Sequence, residues 1–113
     1  MTGRVLVAAF IVTMVAAVTP AFAQAPVERG MKVYTAQKCS MCHSVAGKGN
    51  AKGPLDEGVS KLSNDEIRQW LTKPSEMREK THAERKPVMK SFSTLSKDDL
   101  DALVAYLSSL KKT

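Results

Sequence analysis

Cys39-Ser40-Met41-Cys42-His43 places both cysteines of the chain, and one of its two histidines, within five residues. Positions i and i+3 share one face of a helical turn. Both thiols can therefore reach the two vinyl groups along one edge of a porphyrin. The imidazole that follows falls beneath the ring, where it can bind iron. C-x-x-C-H is the attachment signature of c-type haem. Three other chemistries use the same residue types. A structural zinc site needs four ligands. Cys39, Cys42, His43 and His82 are the whole supply of Cys and His, and His43 abuts Cys42, which makes a closed tetrahedron awkward. A thioredoxin-like redox pair belongs with a βαβ pattern, which the flanking sequence lacks. A disulfide across so short a loop gains little closure entropy. Haem attachment through Cys39 and Cys42, with His43 on the iron, is the reading that uses the whole motif.

Toward the N-terminus the composition changes. The chain has 113 residues, a net charge of +6, 43% hydrophobic and 25% charged residues. That is one domain at most, too short for a doubly wound α/β enzyme or an α/β barrel. The averages hide an uneven spread: no charge occurs from Val5 to Ala23. Arg4, an apolar run from Val5 to Val18 broken only by Thr13, then Pro20 and Ala21-Phe22-Ala23 follow the order of a secretory signal. Cleavage is expected after Ala23, leaving residues 24–113 as the mature domain. The competing reading is an uncleaved membrane anchor, but a spanning helix needs about 20 apolar residues, and Pro20 cuts this run short. Loss of Arg4 lowers the net charge from +6 to +5. Four aromatic residues then remain, Tyr34, Trp70, Phe92 and Tyr106, a thin core unless a porphyrin fills its centre.

The mature segment reads as helices joined by loops. Val27, Met31 and Tyr34 lie on one side of a helix expected over residues 27–38, with Pro26 at its first position. Residues 47–54 are rich in Gly and Lys and form a loop. Its G-x-G is not a phosphate cradle, because no strand precedes it and no long helix follows it. Ser63 and Glu66 have capping-box spacing, and Ile67, Trp70 and Leu71 make an apolar stripe ended by Pro74. Residues 75–80 form another short helix, and residues 86–90 an extended loop. Ser96 and Asp99 repeat the capping spacing ahead of Leu100, Leu103, Val104, Leu107 and Leu110, with acid at the start and Lys111 and Lys112 at the end. No alternating strand pattern is present, so the expected class is all-α.

From Cys39-x-x-Cys42-His43, and across nearly all of residues 27–110, the chain resembles a small monohaem class I cytochrome c of the bacterial periplasm. The resemblance implies three to five helices wrapped around one haem c. Gly30 with Tyr34, and Leu103 with Tyr106, match the family's crossing of first and last helices, where a glycine lets two backbones approach. The family's axial methionine matches Met89, in the loop before the last helix, although Lys90 stands where the family often has Pro. His82 is the rival ligand, and would make a bis-His centre of lower potential. Pro54 matches the residue whose carbonyl accepts from the iron-bound histidine, and Trp70 matches the Trp whose indole N–H meets a haem propionate. Ordinary packing beside Ile67 and Leu71 is the alternative for Trp70. His82 otherwise reads as a solvated surface residue.

The function implied is one-electron transfer on covalent haem with His43 and Met89 on the iron, since His/Met ligation raises the potential and fills both axial positions. The chain is then expected to be a periplasmic, monomeric electron carrier and not an enzyme, with no stable membrane insertion after signal cleavage. The alternatives are a haem c module or subunit of a larger oxidoreductase, and a haem sensor of small ligands. Lys38, Lys48, Lys52, Lys86 and Lys90 flank the haem-contacting segments and fit acidic docking surfaces on redox partner proteins. Nucleic acid is not favoured, because no motif interleaves aromatic residues with the charges.

Overall fold

Both capping signals form. Ser63 Oγ accepts the Glu66 N–H at 3.1 Å while Glu66 Oε1 accepts the Ser63 N–H at 3.4 Å, a reciprocal box that starts α3, Asn64–Thr72. Ser96 Oγ accepts the Asp99 N–H at 3.2 Å and starts α5, Lys97–Ser109. The computed structural model describes residues 2–3, 8–14 and 21–111. The other helices are α1, Ala21–Ala36, α2, Leu55–Gly58, and α4, Pro74–Thr81. A 3-10 turn, Cys39–Met41, carries the first cysteine. Pro74 does end α3, and opens α4 from its first position.

Three local expectations are corrected. The first helix begins at Ala21 and ends at Ala36, so Pro26 lies inside it and its missing N–H removes one helical hydrogen bond. At the other end Lys38 takes a left-handed conformation (φ 55°), which stops the helix short of residue 38. The Gly/Lys-rich loop holds a small antiparallel hairpin, β1, Ser44–Val45, and β2, Lys48–Gly49. Ala46 and Gly47 at its tip both have positive φ (50° and 78°), the requirement of a tight primed turn, and strands this short leave no alternation to read. Much of the expected leader, residues 1–23, lies outside the described residues. Within it Phe10, Ile11, Val12 and Met14 are exposed. Among the described residues, no helix is long and apolar enough to cross a membrane.

The core lies where α1, α3 and α5 meet. Leu103 is fully buried at its centre, with Val33, Ile67, Leu71, Phe92 and Leu107 around it. α1 crosses α5 at Gly30. A Cβ there would stand 2.5 Å from Tyr106 Cβ and 2.7 Å from the Ala102 carbonyl carbon, so the close approach depends on glycine. One turn on, the rings of Tyr34 and Tyr106 meet edge to face, 5.6 Å between centroids. An Arg29–Asp99 ion pair (2.8 Å) closes the same crossing at the surface. No regular structure spans residues 82–96, and that segment depends on single contacts. The Phe92 N–H donates to the Leu71 carbonyl at 2.7 Å and Ser91 Oγ to the Thr72 carbonyl at 2.8 Å, which ties the segment to the end of α3.

Candidate functional site

The left-handed Lys38 turns the chain out of α1 and into the cysteine motif. The Cys42 and His43 N–H groups both donate to the Cys39 carbonyl, at 3.1 and 3.0 Å, which holds the motif in a tight turn. The thiols are free, Cys39 half-buried and Cys42 exposed. Burial pushes the Cys39 thiol up, against the pull of its backbone hydrogen bond and of Lys90. Asn50 braces the turn from the far side of the hairpin: its N–H donates to the Ser40 and His43 carbonyls, and its side-chain amide to the Met41 carbonyl at 3.1 Å. Gly49 lies so close to the His43 carbonyl, with φ 110°, that a side chain there meets both a steric and a conformational barrier.

His43 is half-buried, and its Nδ1–H donates to the Gly53 carbonyl at 3.1 Å. A carbonyl only accepts, so the bond fixes the tautomer and leaves Nε2 as the lone-pair nitrogen. Burial holds the imidazole below its ordinary value; the Gly53 carbonyl opposes this and the Arg85 guanidinium adds to it. The ring is therefore neutral at pH 7, the form that binds a metal. This corrects the sequence expectation that Pro54 is the acceptor. The Gly53 carbonyl also takes the Ser44 N–H at 3.0 Å, in an isolated parallel bridge between Ser44 and Pro54 outside the hairpin, and that places Gly53 rather than Pro54 opposite the imidazole. Pro54 follows directly, restricting Gly53 to an extended backbone, and caps α2.

Met89 is half-buried and packs against the same core cluster as Cys39. Its neighbour Lys90 is close enough to influence Cys39 electrostatically and lies over the Phe92 ring, 5.1 Å from the centroid. Trp70 is half-buried on α3, two residues before its end. Tyr34 Oη is buried without a partner among the described residues, and its hydroxyl is pushed up to about 12, first by burial and then by Cys39. Buried hydroxyls without partners are uncommon, and this one lies within electrostatic reach of the attachment motif. His82 is exposed, in a left-handed conformation at the end of α4. Among the described residues no group of three or more His, Cys, Asp and Glu side chains converges to hold a metal ion, so the zinc reading finds no donor set. Two free thiols, a neutral imidazole with one nitrogen available and a thioether on the same core fit covalent haem.

Sequence reasoning missed Arg85. Its guanidinium donates to the Cys42 carbonyl and lies across Gly53, where an added Cβ would stand 2.7 Å from Arg85 Cζ. An exposed arginine in a loop without regular structure carries no signal of a contact made forty-three residues back along the chain.

These features define a helical domain built to hold a haem on a Cys-x-x-Cys-His turn. Residues 27–111 match the Cytochrome c family, and the chain belongs to it. Membership implies haem c, with its iron, as the cofactor. The chain is 28% identical over 92 residues to cytochrome c oxidase subunit 2 of Alkalihalophilus pseudofirmus, covering 74% of this chain and 25% of that protein. It is 38% identical over 71 residues to cytochrome c-555 of Methylococcus capsulatus, covering 58% of this chain and 55% of that one. The chain thus spans a quarter of the first relative's length and about half of the second's. No solved structure matches it.

Proposed function

We propose that this protein is a periplasmic carrier that moves one electron at a time on a single haem c. The observation that carries the reading is the tethered His43: its Nδ1–H is held by the Gly53 carbonyl at 3.1 Å, which leaves Nε2 as the nitrogen free to bind a metal, next in sequence to Cys42. Cys39 and Cys42 would tether the haem covalently, and His43 and Met89 would bind its iron. The haem supplies a reversible one-electron couple, and His/Met ligation raises its potential. Met89 keeps the sixth position closed to small molecules, and the buried residues of α1, α3 and α5 exclude water from the ligands. Trp70 offers its indole N–H to a propionate, while Pro54 orients the Gly53 carbonyl. The exposed Lys38, Lys48, Lys52, Lys86 and Lys90 favour encounter with acidic partner surfaces, and the signal segment is removed after Ala23.

The likeness to a quarter of cytochrome c oxidase subunit 2 supports a second reading, in which the same domain works as a module beside an oxidase. One optical experiment tests the ligand set that both readings share. An intact methionine–iron bond gives the ferric protein a weak charge-transfer band in the far red, and Met89→Ala abolishes it. A wild-type protein that lacks the band and binds carbon monoxide readily when reduced overturns the carrier reading.

A further inference from the structure

The segment that carries Met89 has no helix or strand of its own from residue 82 to residue 96. Ala83 is bonded to Arg78 of α4, and beyond that the stretch around Met89 is anchored on both sides. On the C-terminal side, Ser91 Oγ and the Phe92 N–H bond the Thr72 and Leu71 carbonyls at the end of α3. On the N-terminal side, Arg85 donates to the carbonyl of Cys42, at the end of the 3-10 turn. That carbonyl takes no backbone N–H among the described residues. A cation there meets an unpaired carbonyl at the negative end of a helical turn. Gly53 makes room, since the guanidinium lies against its Cα. One arginine thus touches both the turn that bears Cys42 and His43 and the glycine whose carbonyl holds His43.

We propose that Arg85 is a positioning residue that clamps the Met89 segment onto the Cys42–His43 segment and so sets how firmly Met89 would be held on a bound haem iron. The inference rests on the reading of Met89 as the sixth ligand. Without the clamp, residues 84–90 lose their tie to the Cys42–His43 turn and are held only through Ala83, bonded to Arg78 of α4, and through the Ser91 and Phe92 anchors. The Met89-detached state then becomes more populated, and an added ligand that competes for the same position binds more tightly in proportion.

The test measures imidazole binding to the ferric, haem-loaded protein in the wild type and in Arg85→Ala, Arg85→Lys, Met89→Ala and Arg29→Ala, together with the far-red band. One hydrogen bond from a charged donor at an exposed site corresponds to about a fivefold change in the equilibrium. Arg85→Ala is expected to raise imidazole affinity about fivefold and weaken the band, Arg85→Lys to recover part of both, and Arg85→Ala to change nothing in a Met89→Ala background. Arg29→Ala removes a surface ion pair of its own at the α1–α5 crossing and is expected to leave affinity at the wild-type value. If Met89→Ala raises affinity but Arg85→Ala does not, the clamp fails while Met89 stands as the ligand. If Arg29→Ala matches Arg85→Ala, the effect is general loosening and the clamp fails. If Met89→Ala leaves affinity unchanged, the ligand assignment fails and the clamp with it.

Discussion

Gly30→Ala tests whether the fold depends on the backbone contact between α1 and α5. The added methyl carbon would stand 2.5 Å from Tyr106 Cβ and 2.7 Å from the Ala102 carbonyl carbon. Carbon atoms rest at about 3.5–4.0 Å, so the helices must separate by about 1 Å. The obstacle includes main chain, which cannot rotate away as a flexible side chain would. Overpacking costs about 1–3 kcal/mol, and the upper end applies where backbone must move. Alanine returns up to about 1 kcal/mol of helix propensity. The net expectation is a loss of about 2 kcal/mol. At about 4–8 °C per kcal/mol for a domain of this size, the melting temperature of the haem-loaded protein falls by about 8–16 °C. Gly58→Ala is the matched control. A Cβ at Gly58 meets nothing within 4 Å, and its φ is not positive, so that change stabilises by about 0.5–1 kcal/mol. A Gly30→Ala protein that melts at or above the wild-type temperature refutes the crossing as described.

Three further outcomes are expected. Ser63→Ala removes the acceptor for the Glu66 N–H at the start of α3 and costs about 1 kcal/mol in denaturant unfolding; no change would mean that the capping box contributes nothing. Tyr34, pushed up to about 12 from an ordinary value of 10.0, ionises after a free tyrosine. Its contribution to stability is whole below about pH 10 and is lost as pH climbs through about 12. Tyrosinate absorbance, taken as the difference between wild type and Tyr34→Phe, reads this directly, and a transition near 10 contradicts the burial. Electron transfer with an acidic partner slows as salt is raised, because the exposed lysines act through a screened field; a rate indifferent to ionic strength removes the docking argument.

What was legible in the sequence was local. Ser63 with Glu66, and Ser96 with Asp99, are three residues apart and decide their helix starts by themselves. Cys39, Cys42 and His43 lie on one turn, so their spacing nearly fixes their geometry. The meeting of Gly30 with Tyr106 spans most of the domain and was readable only through the family resemblance. Pro54 as acceptor missed by one residue. An isolated parallel bridge between Ser44 and Pro54 sets which carbonyl faces His43, and a single bridge gives no periodicity from which to count register. The start of the first helix was displaced because proline is tolerated at a first helical position and sits here further in.

The Met89 segment shows why the remaining gap is physical rather than a matter of closer reading. A helix repeats its hydrogen bonds, so a few residues announce the rest. Residues 82–96 repeat nothing, and their path is settled by isolated bonds, from Ala83, Arg85, Ser91 and Phe92 to carbonyls of other elements and from Arg78 back to Ala83. Helix and turn ends always expose such carbonyls, and which donor reaches which end is decided by the packed fold. The Arg85 bond lies outside the α1–α3–α5 cluster, so its loss can loosen the segment without unfolding the core, whereas the Phe92 bond to Leu71 joins two members of that cluster. On the proposed reading of Met89 as an iron ligand, that difference lets retention of Met89 respond to Arg85 while stability responds to Gly30 and the buried core.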